Sequence, residues 1–335
     1  MNNASQTKKI YLGINFLRFL LCFWIVLFHC SNYRKHYKYF WRLFHVPTFF
    51  VIAFYFFYPL LYKRIIEKIK IRFQRLLIPY IIWPLLLFFL NNINIKIICF
   101  DTLTKTISLK DLFTQIVLGK GIHGVFWFQN NLIFLSLFFS IISFLFKNNF
   151  MPIFHFLTSA SLYLHYSGKS YTFFKYTEFR KSLGTLIELM PLAVLGCVYR
   201  SINLLLIINK LQTYIKFILL FYIYFLFEYD IFILPLGFRY PNVILYMLSS
   251  TILLIFFGSL HIDKYKISII INIITKFTGG IYYIHTIVRD YLIKYFIFFR
   301  KRTYTSATFI YIISFQICLI GSKIFQNKKL KFLFI

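Results

Sequence analysis

The sequence has no stretch that reads as a soluble domain, no internal repeat and no Gly-, Ser- or Pro-rich linker. With no seam along which to divide the chain, residues 1–335 are expected to form a single domain. Its five cysteines (Cys22, Cys30, Cys99, Cys197 and Cys318) are odd in number, lack paired spacing and sit mostly inside apolar runs. They read as small buried hydrophobes, so neither a disulfide framework nor a metal cluster is expected. A contiguous basic tract is missing as well. The 38 Lys and Arg, set against nine Asp and Glu for a formal charge of +29, are scattered in short segments between apolar runs. Tracking a phosphate backbone needs a continuous basic surface, so nucleic acid is excluded as a partner. Basic loops of this kind suit the anionic surface of a lipid bilayer. Finally, the apolar runs are continuous and do not alternate in ten-residue pieces, which argues against a membrane barrel.

What remains is apolar. The chain is 60% hydrophobic and 23% aromatic, with a mean hydropathy of +0.72, well above a soluble domain of this size. Runs of about twenty apolar residues recur along its length, so the expected fold is all-α, a polytopic helical membrane protein. The runs suggest ten spans, near residues 11–30, 44–62, 76–90, 125–146, 150–165, 183–199, 215–227, 242–260, 279–298 and 307–325. Pro79 and Pro84 should break the third, and Pro235 and Pro241 mark the 200–241 region as broken or partly re-entrant. Residues 91–124 read as a polar, mildly amphipathic excursion. Lys8 and Lys9 precede the first run and no small-residue cleavage site follows it, so it is expected to stay as a span.

Within the first run, Tyr11 to Cys30, two residues are out of place on solubility grounds: Arg18 and His29. Eleven residues apart, they fall within roughly 20° of one helix face and about 16 Å apart along the axis. An arginine in mid-helix costs about 3 kcal/mol to insert. A cation and an imidazole on one stripe should therefore face protein or water. The alternative is that Arg18 snorkels to one interface and His29 marks the other. Arg72 and Arg75 share a face by their i, i+3 spacing, and their guanidinium forks suit either phosphate oxygens or lipid headgroups. In Thr278 to Asp290, TGGIYYIHTIVRD, His285 and Arg289 share a face one turn apart. His285 either takes part in chemistry or hydrogen-bonds a neighbouring helix. Trp127, in GVFWFQNN, fits a substrate contact or an interfacial aromatic belt.

In order and spacing, these landmarks resemble the integral-membrane acyltransferase family 3, which O-acylates cell-surface sugars. The resemblance runs through Arg18–x10–His29, then VPTFFVIAF (a PxFFxxSG-like stretch in the family). It continues through Arg72–x2–Arg75 followed by Pro79, then Phe126-Trp127-Phe128, and ends on IYYIH at His285. It covers about residues 11–290. One departure stands out: Ala53-Phe54 occupies the place of the family's Ser-Gly.

The resemblance implies an acyl-CoA donor, usually acetyl-CoA, reached from the cytoplasm. It also implies an acceptor hydroxyl on a surface or lipid-linked saccharide, and residence in the cell (inner or cytoplasmic) membrane. His29 would then be the general base for that hydroxyl or a transient acyl carrier. Arg18 would stabilise developing negative charge or hold part of the donor, and Arg72 and Arg75 would grip the CoA phosphates. His285 would complete the catalytic site and Trp127 would contact substrate. The competing class is a transporter or flippase of a lipid-linked saccharide, with the same intramembrane charges lining a pathway.

Basic residues are slightly more numerous on one set of connecting segments, chiefly between residues 63 and 75, which puts both termini in the cytoplasm under the positive-inside rule. Cysteine labelling at introduced sites checks this topology. Lys70→Cys and Leu330→Cys should be shielded from a membrane-impermeant reagent outside the cell, whereas Lys110→Cys should react.

Overall fold

The apolar runs do become helices, though not always with the limits that hydropathy suggests. A computed structural model describes residues 3–30, 45–92, 108–119, 126–166, 178–203, 214–215, 217–218, 221, 243–258, 265–301, 303–325 and 332–335. Among the described residues there is no strand. The longer helices are α1 (Asn3–Cys30), α2 (His45–Tyr62), α3 (Ile66–Asn92), α4 (Leu109–Leu118), α5 (Phe126–Phe146), α6 (Phe150–Tyr166), α7 (Glu178–Ser201), α8 (Val243–Gly258), α9 (Tyr265–Lys276) and α10 (Thr278–Tyr295). A short α11 (Ile297–Arg300) and α12 (Tyr304–Ile324) follow. The chain is a polytopic helical membrane protein.

The expected ten spans are too many for the described residues. Five helices are long and apolar enough to cross a bilayer, in α1, α2, α3, α5 and α12, or six if α9 and α10 act as one bent pair. The physical reasons differ from place to place. Helix α6, at 17 residues, and α8, at 16, rise only about 25 Å each. Helix α7 carries Glu188 at its centre and Arg200 in its last turn. Most of the run at 215–227, the region of Pro235 and Pro241, and Cys99 lie outside the described residues.

Two local expectations are also corrected. Pro79 and Pro84 do not break the third span, because α3 runs through both. Gln129 donates its side-chain N–H to the Leu76 carbonyl at 3.0 Å, in the turn before Pro79. A break does occur at Phe277, where α9 and α10 meet at 65°, inside a region with no proline to announce it. Hydroxyls cover the interrupted ladder: Thr278 donates to the Thr275 carbonyl at 3.0 Å and Thr275 to that of Asn272 at 3.3 Å. The 91–124 excursion contains α4, opened by a reciprocal cap in which Ser108 and Asp111 bond each other's backbone N–H.

The chain forms two compact units. One comprises Met1–Arg18, Tyr39–Ile69 and Phe134–Ile271, the other Phe19–Lys38, Lys70–Ile133 and Asn272–Ile335. In the first, α2 and α7 pack backbone to backbone at Gly196, where a Cβ would meet the Val51 carbonyl and the Tyr55 amide. Phe54, the residue standing in place of the family's glycine, is fully buried there, with its ring 4.9 Å from Phe139. Ser161 of α6 bonds the Ile187 carbonyl of α7, and Thr48 of α2 meets Ser250 of α8 at 3.1 Å. Small and hydroxylated residues thus do the joining, as expected where lipid offers no hydrophobic drive between helices.

The second unit gathers the end of α1 with α3, α4, the start of α5, α10 and α12. Tyr311 of α12 stands edge-on to Phe23 of α1 at 5.3 Å. The chain's last described residues fold back onto α3, where Trp83 donates to the Leu333 carbonyl at 3.4 Å.

The tight approach at Gly196 is testable. Gly196→Val should force α2 and α7 apart and cost about 3 kcal/mol, the upper end for overpacking. Ile244→Val, on the exposed face of α8, should stay within about 0.5 kcal/mol of the parent. Thermal unfolding in one detergent compares the two.

Candidate active site

Helix α10 carries the centre of the second unit. Every residue from Ile281 to Thr286 is buried, so this part of the helix meets protein on all sides, as a helix apolar all round must. His285 is fully buried. Its Nδ1 lies 3.1 Å from the Ile281 carbonyl, one turn back. A carbonyl can only accept, so Nδ1 carries the proton and Nε2 is left as the basic nitrogen of the neutral ring.

His29 stands in the last turn of α1, half-buried, with its ring centroid 5.3 Å from that of His285 and the planes inclined at 45°. Two histidines 256 positions apart in the chain are thus in ring contact inside a membrane protein. One turn beyond His285, the Arg289 Nη1 donates to the main-chain carbonyl of His29 at 3.0 Å. On its other edge the guanidinium meets Asp290, whose Oδ1 lies 2.6 Å from both Nε and Nη2.

Aromatic packing on α10 holds the histidine pair against α3, α4 and α5. Tyr282 lies 6.1 Å from His285 and 5.3 Å from Phe128, while Tyr283 stacks on Phe126 at 5.6 Å. Tyr80 of α3 is edge-on to Phe126 at 6.1 Å, and its hydroxyl reaches the carbonyls of Gln115 and Ile116 at 2.8 Å each. Helix α5 can start this close to α4 because Gly119 ends α4 in a left-handed conformation (φ 67°), a geometry that favours glycine.

The remaining predicted residues fall at different distances from this centre. Arg72 and Arg75 lie within α3, not in a connector before it, since the helix starts at Ile66. Arg72 is half-buried; Arg75 is exposed, with its guanidinium 5.7 Å from the centre of the Phe332 ring. The Gln129 bond to Leu76 ties the turn just after Arg75 to the start of α5, and thereby to the aromatic cluster around His285. Trp127 is half-buried at the second position of α5, edge-on to Phe128 at 6.3 Å, and its carbonyl accepts from Asn131 at 2.6 Å. Arg18 belongs to the other unit, about three turns before His29 on the same helix, and has no part in the ring contact.

Sequence reasoning assigned both histidines to one site without placing their rings in contact. It placed Arg289 on the face of His285 without assigning it a task, and passed over Asp290, Gln129 and Tyr80. The readable signal was Arg289-Asp290 itself, an adjacent pair of opposite charges at the end of an apolar run, where an ionisable residue calls for a partner.

Chemically, the arrangement offers an imidazole with a second imidazole beside it, in a site with restricted access to water. One ring can take up and return a proton while the other orients it or stabilises its charge, the division of labour between a general base and its positioning partner. Comparison with known proteins gives one further finding: a family model described as an acyltransferase domain matches residues 11–323. No curated protein and no solved structure matches the chain.

Proposed function

The chain belongs to the integral-membrane acyltransferase family 3, and on that premise we propose that it transfers an acyl group, acetyl in the first instance, from acyl-CoA to a hydroxyl of a cell-surface or lipid-linked saccharide. The observation that carries this reading is the contact between His29 and His285 at 5.3 Å. Acyl transfer to an alcohol requires one proton to leave the acceptor oxygen as it attacks the thioester carbon, and one to reach the departing sulfur. His29 does both: it accepts the hydroxyl proton as the C–O bond forms and returns it to the thiolate as the C–S bond breaks. His285 holds the His29 ring in the productive orientation and tempers its charge while it is protonated.

Arg72 and Arg75, one turn apart in α3, suit the phosphates of the donor through bidentate, charge-assisted bonds. The role of Arg18, compensating charge that develops on the donor, rests on the resemblance. Trp127, half-buried at the start of α5, is assigned to the acceptor, since sugar faces stack on aromatic rings as other apolar faces do. We place the protein in the cytoplasmic membrane with both termini in the cytoplasm, which sets the α3 arginines on the side where CoA is found.

A transporter of lipid-linked saccharides is the second reading, favoured by the 65° break at Phe277, because discontinuous membrane helices often frame transport sites. Acyl transfer itself separates the two. Purified protein in nanodiscs, given labelled acetyl-CoA and its saccharide acceptor, should transfer the label, and a wild type that transfers none would overturn the enzyme reading.

Within the enzyme reading, His29→Gln should fold and bind acetyl-CoA but lose about 100-fold or more in kcat, the share a positioned acid–base group supplies. His285→Gln, which keeps a hydrogen-bonding side chain, should retain measurable turnover and His285→Ala less. Equal and complete loss in both would give His285 the catalytic role itself.

The arginine pair makes a separate prediction. Arg72→Ala with Arg75→Ala should raise the KM for acetyl-CoA about tenfold or more, as expected when charge-assisted bonds are removed. Lys at both positions should restore part of it, because the charge returns without the planar fork. Unchanged donor affinity in a folded double variant would make the pair headgroup anchors.

A further inference from the structure

The last described turn of α1 is held from α10. His29 lies one residue before Cys30, the last described residue of that helix, and its main-chain carbonyl accepts from Arg289 Nη1 at 3.0 Å. Two residues of α10, one turn apart, hold His29: His285 meets its ring and Arg289 its backbone. A bond to the carbonyl fixes the peptide plane from which the side chain departs, and the ring contact limits where that side chain goes.

Arg289 is itself held. Asp290 Oδ1 receives both Nε and Nη2 at 2.6 Å, and the pair is largely shielded, at 17% and 16% side-chain exposure. That leaves Nη1 aimed at α1 and makes the ion pair neutral as a whole, so no net charge is brought up to the imidazoles. Lysine would not reproduce the arrangement, since an ammonium is a point charge without a rigid fork.

We infer that Arg289, clamped by Asp290, is the positioning residue for His29, setting the orientation of its imidazole through its backbone carbonyl. This rests on the proposed role of His29 as the proton-transferring base. The pair touches neither substrate nor the reacting atoms in this account and acts only through His29.

The test uses the full chain in nanodiscs, measured on the fraction that elutes with the wild type. Arg289→Lys should lower kcat for acyl transfer about tenfold while the KM for acetyl-CoA stays within about twofold, the pattern of a lost transition-state arrangement without lost donor binding. Asp290→Asn should give a smaller fall, about threefold, because the amide oxygen still accepts one bond from Arg289. The second readout needs no turnover: the rate of His29 carbethoxylation by diethyl pyrocarbonate, followed by peptide mass spectrometry, with the exposed His155 as internal reference. The His29:His155 ratio should change about threefold in Arg289→Lys, since an imidazole's reactivity follows its orientation and partners.

A purely structural role would lower folded yield and leave both kcat per folded molecule and the labelling ratio at wild-type values. That result in either folded variant overturns the proposal. If the wild type transfers no acyl group, the functional reading falls instead, and the labelling ratio alone decides whether Arg289 sets His29: a changed ratio supports it and an unchanged one overturns it.

Discussion

Inside a bilayer no water is present to satisfy a backbone carbonyl, so each place where a helix ends, bends or meets proline needs a donor from somewhere else in the chain. In the second unit side chains reach several main-chain carbonyls of this kind. Arg289 donates to that of His29 near the last described residue of α1, Gln129 to that of Leu76 in the turn before Pro79, and Thr278 and Thr275 to carbonyls beside the break at Phe277. The first two lie beside groups proposed to act, His29 and Arg75.

The same demand bears on how two imidazoles come into contact. His285 donates its Nδ1–H to the Ile281 carbonyl within α10, which leaves Nε2 as the unprotonated nitrogen. His29 does not depend on packing alone, because its backbone is tied to α10 by Arg289. On the proposed role of His29 this matters more than burial, since a base misplaced by an ångström loses most of its advantage. The aromatic cluster of Tyr80, Phe126, Phe128, Tyr282 and Tyr283 then gives α10 a rigid backing from α3 and α5.

In the first unit the family's Ser-Gly place is filled by Ala53-Phe54, and Phe54 is wholly inside, between Phe139 and the α7 backbone near Cys197. A glycine there would leave that volume to be filled by other side chains. Phe54 therefore acts as core at this position.

Much was determined by the sequence alone: a helical membrane protein, its family, and the identity of His29, His285, Arg72 and Arg75 as residues too polar for their surroundings. Those readings rest on composition, periodicity and ordered spacing, which are local properties of a chain in an apolar solvent. Among the described residues the bilayer-crossing helices are fewer than hydropathy suggests, because hydropathy measures how apolar a run is and not how long a straight helix it forms. Thus α6 and α8 fall short, α3 continues through two prolines, and α9 and α10 bend at a phenylalanine. The pairing of His29 with His285 and the grip of Arg289 on the His29 carbonyl were decided only by tertiary structure. A hydrogen bond between groups 260 positions apart leaves no periodicity in either segment; it exists because α10 brings two successive turns against the end of α1.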